Sequence, residues 1–120
     1  VQEAGVRIAV FGAPDEKGVC EGIASGIGAA AVSFAAETGL QELAAMLAEC
    51  RVVVANDSGG MHLAAAMGTP VVAIFGVTDP ALTGPVGSGH EVIAAEGVRV
   101  SRAVPRSSEE AARALGAIDP

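Results

Sequence analysis

Short β-branched runs alternating with helical stretches of small residues predict an α/β protein, a parallel sheet with helices on both faces. Three observations carry that reading. Residues 52–55 and 71–75 are apolar runs of strand length, rich in Val. The stretch between them opens on Asn56, Asp57 and Ser58 and closes on Gly68 and Pro70, which are helix start and stop signals. The same strand-then-helix order runs through the residues before it, and consecutive units of this kind build a parallel, right-handed sheet.

Taken in order, residues 6–11 read as the first strand and 12–15 as the turn out of it. Residues 16–25 read as a helix, with Val19, Ile23 and Ile27 spaced for one buried face. Residues 30–34 are the next strand. Thr38 with Gln41 gives a capping-box signal for a helix through Ala48 whose Leu40, Leu43, Ala44 and Leu47 face inward. Residues 52–55 suit a strand buried on both faces. The helix after it places Leu63, Ala64 and Met67 on one face. After the strand at 71–75 comes a long Gly/Pro/Thr loop to Gly89, a strand at 91–94 and a weak last strand at 98–101. Ser107 with Glu110 caps a final short helix through Leu115. In such a sheet the loops after the strand ends (12–16, 35–38, 56–60 and 76–84) gather at one edge, where α/β sheets bind ligands.

The 120 residues suit one domain with a modest core. Phe11, Phe34 and Phe75 are the only aromatics, so that core relies on Val, Ile, Leu, Met and close backbone packing. A formal charge of -7 argues against a nucleic-acid surface. It also means that an anionic ligand has to be held by local amides, not by a general positive field. Cys20 and Cys50 stand in no metal-like spacing and read as reduced cytosolic thiols. No apolar run approaches the ~20 residues that span a bilayer, and no signal peptide is evident, so a soluble intracellular protein is expected.

The informative turn is Asn56-Asp57-Ser58-Gly59-Gly60-Met61-His62. Gly59 and Gly60 are poor helix formers, each costing roughly 1 kcal/mol against Ala inside a helix. In a first turn they leave the backbone N–H groups bare, and a helix N-terminus with bare amides attracts phosphate. The sequence points to an anion site; its plain alternative is an ordinary capped helix packed closely on its sheet.

Asn56, Asp57, Ser58, Gly59, Met61, His62, Ala64, Gly68, Pro70, Gly76, Thr78, Asp79 and Pro80 resemble the donor-site segment of the ADP-heptose:lipopolysaccharide heptosyltransferases, glycosyltransferase family 9. Val77 stands where that family often has Pro. The turn from Phe11 through Gly12, Ala13, Pro14 and Asp15 to Glu16 resembles the family's Gly-rich turn with acidic residues. The segment Thr38-Gly39-Leu40-Gln41-Glu42-Leu43 resembles one of its helix starts. The likeness weakens after Pro85, where Cys-rich and basic pieces are missing. It implies a Rossmann-like parallel sheet, the carboxy-terminal half of a two-domain GT-B fold. Residues 1–5 and 118–120 would then be ends of neighbouring helices, and 1–120 the donor domain of a longer enzyme. The implied partners are ADP-heptose or a related nucleotide sugar and, through the other domain, a lipopolysaccharide-core acceptor. The implied reaction inverts the sugar, requires no metal and no cofactor, and takes its general base from the other domain, leaving no catalytic residue in this chain. The implied place is the cytoplasm, with the inner face of the bacterial inner membrane as a peripheral option. A domain for another nucleotide sugar, or a non-catalytic α/β binding module, are the rival readings.

On this resemblance the amides of Ser58, Gly59 and Gly60 hold the diphosphate, with the Ser58 hydroxyl as an extra donor and His62 one turn on. Asp57 is awkward beside a phosphate, and is expected to organise the loop or cap the helix. Glu16 matches an acidic position that contacts the donor ribose, sound chemistry for vicinal hydroxyls; a helix-start acid favoured by the dipole explains it as well. Thr78 and Asp79 face the same edge and are expected at the sugar or its diphosphate, although a Pro-adjacent turn accounts for Asp79 too. Three look-alikes fail. Gly26-Ile27-Gly28 with Ala31 precedes a strand where a dinucleotide fingerprint follows one. Asp57-Ser58-Gly59-Gly60 resembles a trypsin-like nucleophile motif, but His62 and His90 both lie downstream and the pattern is α/β. Asp15 and Glu16 lack further ligands at metal spacing.

Overall fold

The computed structural model describes residues 5–95 and 108–118. The chain divides into two compact units, Val1–Leu43 and Ala44–Pro120. The first holds strand β1 (Ile8–Val10), a 3-10 turn (Pro14–Glu16), helix α1 (Lys17–Ile27) and strand β2 (Ala31–Ser33). Helix α2 (Leu40–Ala48) crosses the boundary. The second holds β3 (Val53–Asn56), α3 (Gly59–Ala66), β4 (Val71–Phe75), α4 (Pro80–Thr83), β5 (Glu91–Ala94) and α5 (Glu109–Gly116). The expected strand at 98–101 lies outside the described residues.

All described strand pairs are parallel. β1 pairs with β2, and β3, β4 and β5 pair in that order. The expected parallel sheet is therefore hydrogen-bonded among the described residues as a pair and a triplet. This is the α/β, Rossmann-like architecture that strand–helix alternation dictates.

In the first unit α1 packs on β1 and β2. Its buried face is Cys20 and Ala24, with Ile27 half-buried, not the expected Val19 and Ile23, which are exposed. The stripe is offset by one residue because small side chains let the helix approach. A Cβ on Gly12 would stand 2.5 Å from Cys20 Sγ, so only glycine admits the thiol there. The thiol donates to Phe11 O at 3.6 Å. Phe11 and Phe34 stack with centroids 5.9 Å apart. At α2 the expected Thr38–Gln41 box is replaced by its neighbour: Gly39 N–H donates to Glu42 Oε2 at 2.6 Å. That shift leaves Leu40 exposed, while Leu43 and Ala44 are half-buried and Leu47 is buried.

In the second unit, register places Val53 and Ala55 beside Val71 and Ala73 on one face of the sheet. Val71, Ala73 and Phe75 are buried, as are Met61 and Ala64 of α3, which packs on β3 and β4. Met67, read on the same face as Leu63 and Ala64, is half exposed, whereas Met61 is fully buried. Val54 points to the other face and is 65% exposed, so β3 is not buried on both sides. That other face, through Asn56 and Ile74, shares a cleft with Ala111 and Leu115 of α5. The cap of α5 is Ser108, whose Oγ accepts from Ala111 N–H at 3.2 Å; Ser107 lies outside the described residues. Among the described residues no helix is long and apolar enough to cross a membrane.

Two polar side chains tie this unit together. His90 Nδ1 accepts the Val71 N–H at 3.2 Å, where β4 begins. Thr69, 4% exposed, donates its hydroxyl to Leu47 O at 2.8 Å and so joins the end of α2 to the start of β4. Replacing Thr69 with Val keeps the shape but leaves a carbonyl without that donor. Urea unfolding followed by circular dichroism is expected to show a loss of about 1–3 kcal/mol; an unchanged midpoint would mean that the bond contributes nothing.

Candidate functional site

Two residues separate the end of β3 from the start of helix α3, and the second of them, Ser58, sets its entry. The Ser58 backbone is extended (φ -152°, ψ 165°), and its Oγ accepts the Met61 N–H at 3.4 Å. This cap fixes the buried Met61 against the sheet and leaves Gly59 and Gly60 as the first two helical residues. Their N–H groups have no carbonyl one turn back within the helix, and the positive end of the helix dipole lies there. Among the described residues, and apart from the adjoining backbone, nothing lies within 4 Å of a Cβ built on Gly59, and for Gly60 Ser58 Oγ does, at 3.9 Å. His62 follows, exposed on the helix surface, with its N–H bonded to Ser58 O at 3.4 Å. An uncovered N-terminal turn with a hydroxyl and an imidazole beside it can take up a phosphate-like group.

The expectation for Asp57 divides. Ser58, not Asp57, caps the helix. The half-buried Asp57 carboxylate instead accepts at Oδ2 from Thr83 Oγ1, 3.1 Å away. Thr83 belongs to α4, a short helix inside what the sequence reads as continuous loop. Asp79 is the N-cap of α4, with Oδ1 accepting from Ala81 N–H at 2.9 Å. One Asp79 carboxylate oxygen is therefore engaged in its own turn, the role that the neighbouring Pro80 suggests. Thr78 lines an open cleft together with Asp57, Asn56, Ile74, Gly76, Val77, Ala111 and Leu115.

The second unit thus brings Asp57, Ser58, Gly59, Gly60, His62, Thr78 and Asp79 to the carboxyl ends of β3 and β4. Parallel sheets bind ligands at that edge. Glu16 belongs to the first unit, where it ends the turn after β1. Its Oε2 accepts the Ala13 N–H at 2.8 Å and closes that turn, while the residue itself is exposed. Thr83 has no distinctive signal in the sequence. Helix α4 has one: Asp79 before Pro80 is a cap followed by proline at the first helical position.

A family model described as "Glycosyltransferase family 9 (heptosyltransferase)" matches residues 1–111. Among curated proteins, the chain is 34% identical over 97 residues to lipooligosaccharide heptosyltransferase 2 of Haemophilus ducreyi, covering 76% of this chain and 28% of that protein. It is 35% identical over 91 residues to lipopolysaccharide heptosyltransferase 1 of Escherichia coli K12, covering 75% and 28%. The chain therefore spans under a third of the length of these relatives. Among solved structures, E. coli ADP-heptose lps heptosyltransferase II superposes with a TM-score of 0.73 at 29% identity, over 95% of this chain and 38% of that one. E. coli heptosyltransferase WaaC with ADP does so with a TM-score of 0.73 at 30% identity, over 94% and 35%. Motif, fold and relatives agree, and the chain belongs to glycosyltransferase family 9, the heptosyltransferase family.

Proposed function

We propose that this chain is the carboxy-terminal, donor-binding domain of a cytoplasmic glycosyltransferase that moves heptose from ADP-heptose to the lipopolysaccharide core. The observation that carries the reading is the Ser58-capped, glycine-opened first turn of α3 at the carboxyl end of β3, in a chain of this family. Residues 1–120 supply the donor side. The acceptor and the general base belong to a second domain, so the chain by itself binds donor and does not turn it over.

The chemistry assigned to this domain is electrostatic. As the bond from the anomeric carbon to the diphosphate breaks, negative charge grows on the departing ADP. The Ser58, Gly59 and Gly60 amides and the dipole of α3 receive it from a backbone already in place, which is the pre-organised form of charge stabilisation, and the exposed His62 ring adds a donor one turn on. With a net charge of -7 the chain has no general field to attract the ligand, so the local amides carry the binding.

Calorimetric titration with ADP and UDP tests the reading. The chain is expected to bind ADP at least about tenfold more tightly than UDP, a discrimination of about 1.4 kcal/mol. Gly60→Glu, which fills the open space with a like charge, is expected to abolish binding. A folded chain that binds neither ADP nor UDP would contradict the donor-site reading. His62→Ala is expected to weaken ADP binding roughly threefold to tenfold, the worth of one charge-assisted hydrogen bond at an exposed site, with the thermal midpoint unmoved. A fall in the midpoint with intact affinity would make His62 structural instead.

A further inference from the structure

The loop that leaves β4 carries Thr78 between two anchors. Ahead of it, Gly76 and Val77 lie under α5. Val77 is buried, in one apolar cluster with Ala111 and Ala114. Gly76 meets Leu115: a Cβ built on the glycine would stand 3.1 Å from Leu115 Cγ, 3.2 Å from Cδ2 and 3.6 Å from Ala111 O. The first two distances are shorter than ordinary van der Waals contact, so the missing side chain at position 76 lets α5 settle on the loop backbone. Ala111, Ala114 and Leu115 follow the i, i+3, i+4 spacing of one helix face, and Leu115 is the large side chain of the three. Behind Thr78, Asp79 caps α4, with Oδ1 accepting from Ala81 N–H at 2.9 Å. Thr78 and Leu115 line the same cleft.

We propose that Leu115 is a positioning residue for the donor site: by packing on Gly76 it sets where the loop presents Thr78 to the donor's sugar or diphosphate. The inference rests on the donor-site reading given above and on the place expected for Thr78 within it. A loop residue holds a ligand well only when the elements behind it lock its position. Truncating Leu115 leaves a gap against the Gly76 backbone, and the surroundings of such a gap relax partly into it. The Thr78 hydroxyl moves with the loop. Leu115 itself touches no donor atom in this account.

The test is a double-substitution cycle on the 120-residue chain, read by calorimetric titration with ADP-heptose. Thr78→Val is expected to weaken binding about threefold to tenfold, the worth of one neutral hydrogen bond. Leu115→Ala is expected to weaken it about threefold, within the range over which residues that touch no ligand modulate a site. Leu115→Met, which conserves volume, is expected to stay within about twofold of the parent. In a Thr78→Val background Leu115→Ala is expected to cause no further loss, because no hydroxyl remains to be placed. Leu115→Val serves for the same comparison if the alanine variant fails to fold. An equal loss in both backgrounds would show that Leu115 only supports the local fold and would overturn the proposal. A methionine variant as weak as the alanine one, or an alanine variant with the parent's affinity, would do the same. Unchanged affinity in Thr78→Val, with the parent binding, would overturn this inference and leave the donor-site reading standing. A parent chain that is folded and binds neither ADP-heptose nor ADP would overturn both.

Discussion

The contact of α3 with the sheet is the constraint on which the second unit depends. Met61 and Ala64 have no solvent exposure, and neither do Ala73 and Phe75 of β4. Burying side chains the size of Met61 and Phe75 stabilises the fold by about 1.5–3 kcal/mol each. That burial leaves the helix one rotation and one distance from the strands. Since the Ser58 Oγ bond is made to the N–H of the buried Met61, the cap and the core contact hold each other. The first-turn amides are therefore positioned by apolar packing beneath them, which is what a binding site made of backbone requires.

A domain this acidic and this poor in large side chains has few other means of holding a diphosphate. Its lysines and arginines number 7 against 14 acids. Small residues make up the difference. Gly59 and Gly60 open the helix, Ala64 brings it close to the sheet, and Gly84 closes α4 so that Thr83 reaches Asp57. In each case what matters is the absence of a side chain. High Gly and Ala content reads as weak composition in the sequence, and the structure makes it the means of close approach.

What was legible in the sequence follows from what is local. β4 and β5 fall at the residues the apolar runs marked, and α3 starts where Ser58 and the two glycines place it. These signals involve periodicity and caps, which neighbouring residues determine. Which side of a helix faces inward depends on its partner. Val19 and Ile23 are larger than Cys20 and Ala24 and give the stronger apolar stripe, yet α1 turns its smaller side to the sheet because Gly12 lets Cys20 close in. Leu40, which the α2 stripe turns inward, is exposed for the same reason. The site divides along the same line. The Ser58 turn was readable as a motif, whereas the bond between Thr83 and Asp57 joins residues far apart in sequence and has no local signal.

In the proposed function, backbone amides at the start of α3 receive the donor diphosphate. Amide chemical shifts of the isotopically labelled chain, followed by NMR as ADP is added, test it most directly. The largest changes are expected at Ser58, Gly59, Gly60 and His62, with α5 little affected. Changes centred elsewhere, with the α3 turn silent at saturating ADP, would contradict it.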